Sequence, residues 1–135
     1  MSGRKKSKGK DLPFDRVGGV IAIQRRMIQS RPYLGLSPQA KTLMILMQSH
    51  WDAEGPVDYG VREAQAKIPC CRTKAMDAFD ELQKAGFIVK VDESLFSSRT
   101  QSKTRTWRLT WMPCWRHRAP TNDWEQSSND QNEAA

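Results

Sequence analysis

The chain has 135 residues, 38% of them hydrophobic and 27% charged, with a mean hydropathy of -0.72, which is room for one ordinary domain with short extensions and not for a two-domain enzyme. No apolar run approaches the roughly 20 residues of a spanning helix, so no membrane span is expected. Lys and Arg number 22 against 15 Asp and Glu, a net charge of +7, and a small domain this basic points to a polyanionic partner.

Residues 2–10, SGRKKSKGK, carry Arg4, Lys5, Lys6, Lys8 and Lys10 with no acid and no apolar side chain. They read as a flexible basic arm, drawn over 1–16. Asp11, Asp15 and Arg16 interrupt the chain before any apolar stretch of the length a secretory signal needs, so the expected location is cytoplasmic, at the nucleoid. The apolar GVIAI at 19–23 is a candidate short N-terminal strand. QRRMIQSRPYLGL at 24–36 reads as a short helical turn.

From Ser37, an N-cap residue followed by Pro38 at the first helical position, Ala40, Leu43, Met44, Met47 and Trp51 recur at three- and four-residue spacing and predict an amphipathic helix. Gly55, Pro56 and Gly60 break the next stretch. A shorter helix, 61–68, places Val61, Ala64 and Ile68 on one side and ends at Pro69. The segment 71–85 puts Ala75, Ala78, Phe79 and Leu82 on one face, with Lys84 in its last turn and Gly86 at the C′ position.

After Gly86 the period becomes alternating. Phe87, Val89 and Val91 share one predicted face, and Ile88, Lys90 and Asp92 the other. In TRTWRLTW, Trp107, Leu109 and Trp111 alternate with Thr106, Arg108 and Thr110, so the two runs predict a hairpin tipped by 93–105. Residues 120–135 hold Asp123, Glu125, Asp130 and Glu133 with no basic residue and read as a polar acidic tail without a fixed fold, drawn from 114 to 135. With the five bases of 2–10 and the four acids of 120–135 set aside, the rest of the chain keeps 17 bases and 11 acids. The body is basic in its own right.

The order helix, short helix, tight turn, longer helix, hairpin is the basis of a resemblance. LSPQAKTLMILM, VREAQAKIPCCRTKAMDAFDELQKAGFI and TRTWRLTW resemble the winged helix-turn-helix domains of bacterial transcriptional regulators and of plasmid or phage replication-type proteins. The likeness spans about residues 17–113 and is sharpest at Leu82, Gly86, Phe87 and Ile88. It implies an α+β fold with three to four helices, a C-terminal wing at 93–105 and a short N-terminal strand. The helix 71–85 is expected in the major groove of duplex DNA. Pro69 departs from the pattern, standing where the family usually has Gly.

On that frame Arg72, Thr73, Lys74 and Asp77 fall on the outward side near the start of the second motif helix. Arg or Lys there can donate to guanine O6 and N7, Thr can touch a phosphate or a thymine methyl, and Asp can accept from cytosine N4. Arg72 is the first choice for base reading. In the wing, Arg99, Lys103, Arg105 and Arg108 bring four cations into ten residues with no acid, a source of sequence-independent affinity for phosphate. Leu95 and Phe96, apolar in the same loop, suit packing against the body or a protein partner.

Cys70, Cys71 and Cys114 are an odd set without an export signal, which suits a reducing compartment. Cys114 and His117 have ligand-like spacing, but no second pair accompanies them, and neither a metal nor a cofactor is expected. A glycine-rich phosphate loop and a His–carboxylate set beside a nucleophile are both missing from the sequence, so catalysis is not expected. Two function classes follow. One is a sequence-specific duplex-DNA binder: a transcriptional regulator, or a replication or recombination accessory of a mobile element, with a homodimer as one assembly. The other is a winged helix used as a protein-interaction module of the anti-activator type.

Overall fold

Ser30 and Ser37, each followed closely by proline, punctuate the first half of the fold. The computed structural model describes residues 17–91, 105–114 and 118–126. The arm, the wing residues Leu95, Phe96, Arg99 and Lys103, and Trp115, His117 and the end of the tail lie outside the described residues. Helices α1 (Arg25–Ile28) and α2 (Arg31–Leu34) are separate turns, where the sequence suggested one. Ser30 divides them: its Oγ donates to Met27 O at 2.6 Å and accepts from Tyr33 N at 3.4 Å, while Pro32 occupies the first turn of α2.

Helix α3 (Pro38–Gln48) starts as the sequence predicts. Ser37 Oγ accepts from Ala40 N at 3.2 Å, and Pro38 has no N–H to leave unpaired. Ala40, Leu43, Met44 and Met47 are buried, with Gln48 beside them. The chain then forms a two-residue strand β1 (Val57–Asp58), helix α4 (Val61–Lys67), helix α5 (Arg72–Lys84), strand β2 (Ile88–Lys90) and strand β3 (Thr106–Leu109). Together these make a mixed α+β fold with a three-stranded antiparallel sheet in the order β1-β3-β2. Among the described residues no helix is long and apolar enough to cross a membrane.

The third strand corrects the sequence reading. Residues 19–23 form no strand; Val20 and Ile21 are 51% and 41% exposed. Their place is taken by β1, where Val57 pairs with Trp107 and Asp58 with Thr106. Tyr59 extends this pairing, its N–H donating to Arg105 O at 3.0 Å. An apolar run of good strand composition stays out because the partner edge of β3 is already filled by a segment carrying Val57 and Tyr59 into the core.

The strand faces follow the predicted alternation. Ile88 pairs with Leu109 and Val89 with Arg108, so Ile88, Trp107 and Leu109 turn toward the helices and Val89 and Arg108 away from them. Phe79 of α5 stacks on Trp107 with ring centres 5.2 Å apart. Phe87, grouped by alternation with Val89 and Val91, is fully buried nonetheless. It stacks on Trp124 and meets Trp111 edge-on, both at 6.1 Å. The helices thus cover one side of the sheet, and the segment around Trp124 covers Phe87 just before β2.

Trp124 lies beyond the 17–113 body drawn from the sequence, yet is only 3% exposed and belongs to the core. The Arg26 guanidinium sits 4.9 Å from its ring centre and pairs with Glu125. Gly86 makes room for this return. Its φ is +87°, and a Cβ there would stand 2.8 Å from Asp123 O. The same residue closes α5: Gly86 N donates to Gln83 O at 3.1 Å and Phe87 N to Leu82 O at 2.9 Å, the paired bonds of a Schellman cap.

Candidate nucleic-acid interface

The interface proposed from sequence begins where α4 hands over to α5. Ala75, Ala78, Phe79 and Leu82 are fully buried, and this inward stripe fixes which residues of α5 face out. Arg72, Thr73 and Lys74 occupy the first turn and are all exposed, as is Asp77 one turn later. Met76 and Asp80 share that outer face and are exposed. The structure therefore brings Arg72, Thr73, Lys74 and Asp77 onto one continuous surface. Among the described residues none of them is in a salt bridge.

The start of α5 is chemically open. Its N-cap is Cys71, whose side chain makes no capping hydrogen bond, and the first turn contains no acid. Early amide N–H groups of a helix have no partner inside it and form, with the helix dipole, a site favourable to anions. Arg72 and Lys74 add two cations at this positive end, an arrangement that opposes helix stability until an anion arrives. Lys84, in the last turn, sits where the dipole favours it.

Two cations on the neighbouring helix went unremarked in the sequence reading. Arg62 and Lys67 of α4 are exposed, Lys67 in its last turn before the bend through Ile68–Cys71. Helical spacing puts Arg62 well away from the Val61 and Ala64 stripe and Lys67 on its flank. At the wing, Arg105 is half-buried and tied to β1 through its carbonyl. Arg99 and Lys103 lie outside the described residues. Arg108 is engaged within the protein: its Nη1 donates to Thr121 Oγ1 at 2.7 Å and its Nη2 stands 4.0 Å from Asp123 Oδ2.

A second polar group sits behind α4. His50 Nε2 is 3.3 Å from Glu63 Oε2, and the His50 ring meets Tyr59 edge-on at 5.3 Å. Burial, then the Glu63 carboxylate, pushes the Tyr59 phenol up to about 12. Asp58 is raised by burial and by Glu63, and drawn back by His50. Tyr59 OH is buried with no hydrogen-bond partner among the described residues. Among those residues no group of three or more His, Cys, Asp or Glu side chains is placed to hold a metal ion. Cys70 is half-buried, Cys71 exposed and Cys114 buried. Compared with known proteins, the chain matches no family model, no curated protein and no solved structure.

Proposed function

We propose that the protein is a winged helix-turn-helix that binds duplex DNA in a sequence-specific way and regulates transcription at the nucleoid. The observation that carries this reading is the open, cationic start of α5, with exposed Arg72, Thr73 and Lys74 on the second helix of a tightly turned pair. The succession α4, α5, β2, β3 with sheet order β1-β3-β2 supports it, because such a framework holds the second helix against a groove and the hairpin beside it. In this reading Arg72 reads a base edge, Thr73 and Lys74 contact phosphate or base, and Asp77 accepts from cytosine N4. Arg99, Lys103 and Arg105 of the 93–105 wing neutralise backbone phosphates. The role of a replication or recombination accessory uses the same contacts.

Selection of bound duplexes from a random library tests the proposal. A recovered consensus supports it, and a palindromic one adds a homodimer, because half-site spacing mirrors protein symmetry. Arg105→Ala is expected to weaken every duplex alike and to lower the salt slope by about one. No duplex retained at low salt would overturn the reading.

A protein-interaction module has one observation of its own. Ile28, Leu34 and Ile45, from α1, α2 and α3, are exposed apolar side chains, and surfaces of this kind serve partners when contiguous. Loss of a co-purified partner upon Leu34→Ser and Ile45→Ser, with duplex binding absent throughout, is the result that favours it.

A further inference from the structure

The face of the sheet turned away from the helices carries a basic hollow that duplex reading by α5 does not use. It encloses about 410 Å³, within the range of small-molecule sites. Its apolar lining comes from Val89, Val91 and Ala119, and Arg108 and Arg118 bring two guanidinium groups to it, while Lys90, whose register partner is Trp107, lies at its edge. Arg108 projects to this face because its register partner is Val89, and its side chain is only 22% exposed. The guanidinium is also held in place: Nη1 donates to Thr121 Oγ1 at 2.7 Å and lies 3.8 Å from Cys114 Sγ.

Two arginines meet little negative charge here: among the described residues the one carboxylate within 4.0 Å of Arg108 is that of Asp123, which stands at that limit. Five N–H donors belong to each guanidinium, so Arg108 keeps donors beyond the one that Thr121 takes. A fixed, partly desolvated guanidinium beside a second arginine matches the oxygens of a phosphate in charge and in fork geometry. The apolar lining has no use for a bare anion and suits a flat or apolar body attached to it. The geometry points to a binding site for a phosphomonoester of about mononucleotide size, seated between Arg108 and Arg118 with its body on Val89 and Val91. The phosphate belongs either to a free nucleotide or to the 5′ end of a nucleic-acid strand. The site is independent of the duplex reading, because it lies on the opposite face of the sheet from α5.

Titration of the full chain, followed by ¹H–¹⁵N spectra, tests the site with adenosine 5′-monophosphate, adenosine and inorganic phosphate as probes. The monophosphate is expected to shift the amides of Val89, Val91, Ala119 and Thr121, inorganic phosphate to shift the same amides at higher concentration, and adenosine to leave them in place. Arg118→Gln, at an exposed position, is expected to weaken the monophosphate at least about tenfold. Arg108→Gln is expected to do the same, and Lys41→Gln, which removes one charge from α3, to change nothing. A 5′-phosphorylated trinucleotide that displaces the monophosphate at lower concentration supports the site with a strand end as its source. A tighter monophosphate supports it with the free nucleotide. Equal shifts from adenosine, or unchanged binding in Arg118→Gln, would overturn the proposal.

Discussion

Helices α3 and α5 begin in opposite ways. The start of α3 is satisfied twice over: Ser37 Oγ accepts from Ala40 N, while Glu81 of α5 accepts from Ser37 N and from Ser37 Oγ, both at 2.7 Å. The start of α5 has Cys71, no side-chain cap, no acid and two cations. One terminus is closed by the fold and the other is left open to solvent. The comparison teaches that α5 is not held by its own first turn. It is held by Phe79, Leu82, the Schellman cap at Gly86 and the Glu81 clamp on α3, which frees its first turn for an external anion.

The largest expected effect strikes the closed end of α5. Gly86→Ala places a side chain at φ +87° and a Cβ 2.8 Å from Asp123 O, so it is expected to cost about 3 kcal/mol by urea denaturation. It is also expected to expose Trp124 to fluorescence quenchers; an unchanged midpoint would mean that residues 123–124 do not pack there. Glu81→Ala removes both charge-assisted bonds to Ser37, and a loss of about 2 kcal/mol is predicted with duplex affinity unaltered. Equal damage to affinity would erase the distinction between the two helix starts.

Cys71→Asp sharpens the comparison because its two effects have opposite signs. An Asp cap is expected to stabilise the fold by about 1 kcal/mol and, if the proposed duplex contact is made there, to weaken duplex binding by placing a negative charge beside it. A variant that gains stability and binds duplex as well as before would show that the open amides are not a contact.

The smallest effect lies behind α4. Tyr59→Phe deletes a hydroxyl that has no partner among the described residues, so stability at neutral pH is expected to hold or rise by up to about 1 kcal/mol. Above pH 10 the unfolded chain loses the phenolic proton while the folded chain keeps it to about 12. The contribution of Tyr59 is therefore complete below pH 10 and is lost as pH rises toward 12. Denaturation midpoints across that window are expected to fall in the native chain and to fall less in Tyr59→Phe.

Much of the α5 framework was legible in the sequence. Ala75, Ala78, Phe79 and Leu82 lie at helical spacing and are all fully buried, and Gly86 takes the left-handed conformation that its position required. Ser37 caps α3 as its residue type suggests. What escaped was non-local. Strand β1 is two residues long, too short for an alternation, and sits among glycines and a proline that signal a loop. Gln48 gives no sign of burial, yet its Nε2 donates to Ala22 O at 2.7 Å and its Oε1 accepts from Trp111 Nε1 at 2.9 Å. Trp124 is hidden in a polar composition because one stacked ring, a cation and a neighbouring carboxylate hold that segment, not a periodic apolar face. The outward position of Arg72, Thr73, Lys74 and Asp77 followed from the inward stripe of the same helix, whereas the engagement of Arg108 by Thr121 depends on a segment thirteen residues away.

The central claim is that the open first turn of α5 reads DNA, and fluorescence anisotropy of Arg72→Ala on a selected duplex and on a random duplex tests it most directly. A loss of about 1 to 3 kcal/mol on the selected duplex, with random-duplex affinity falling far less, is the predicted result. An equal loss on both would reduce Arg72 to a phosphate contact, and no loss on either would contradict the account.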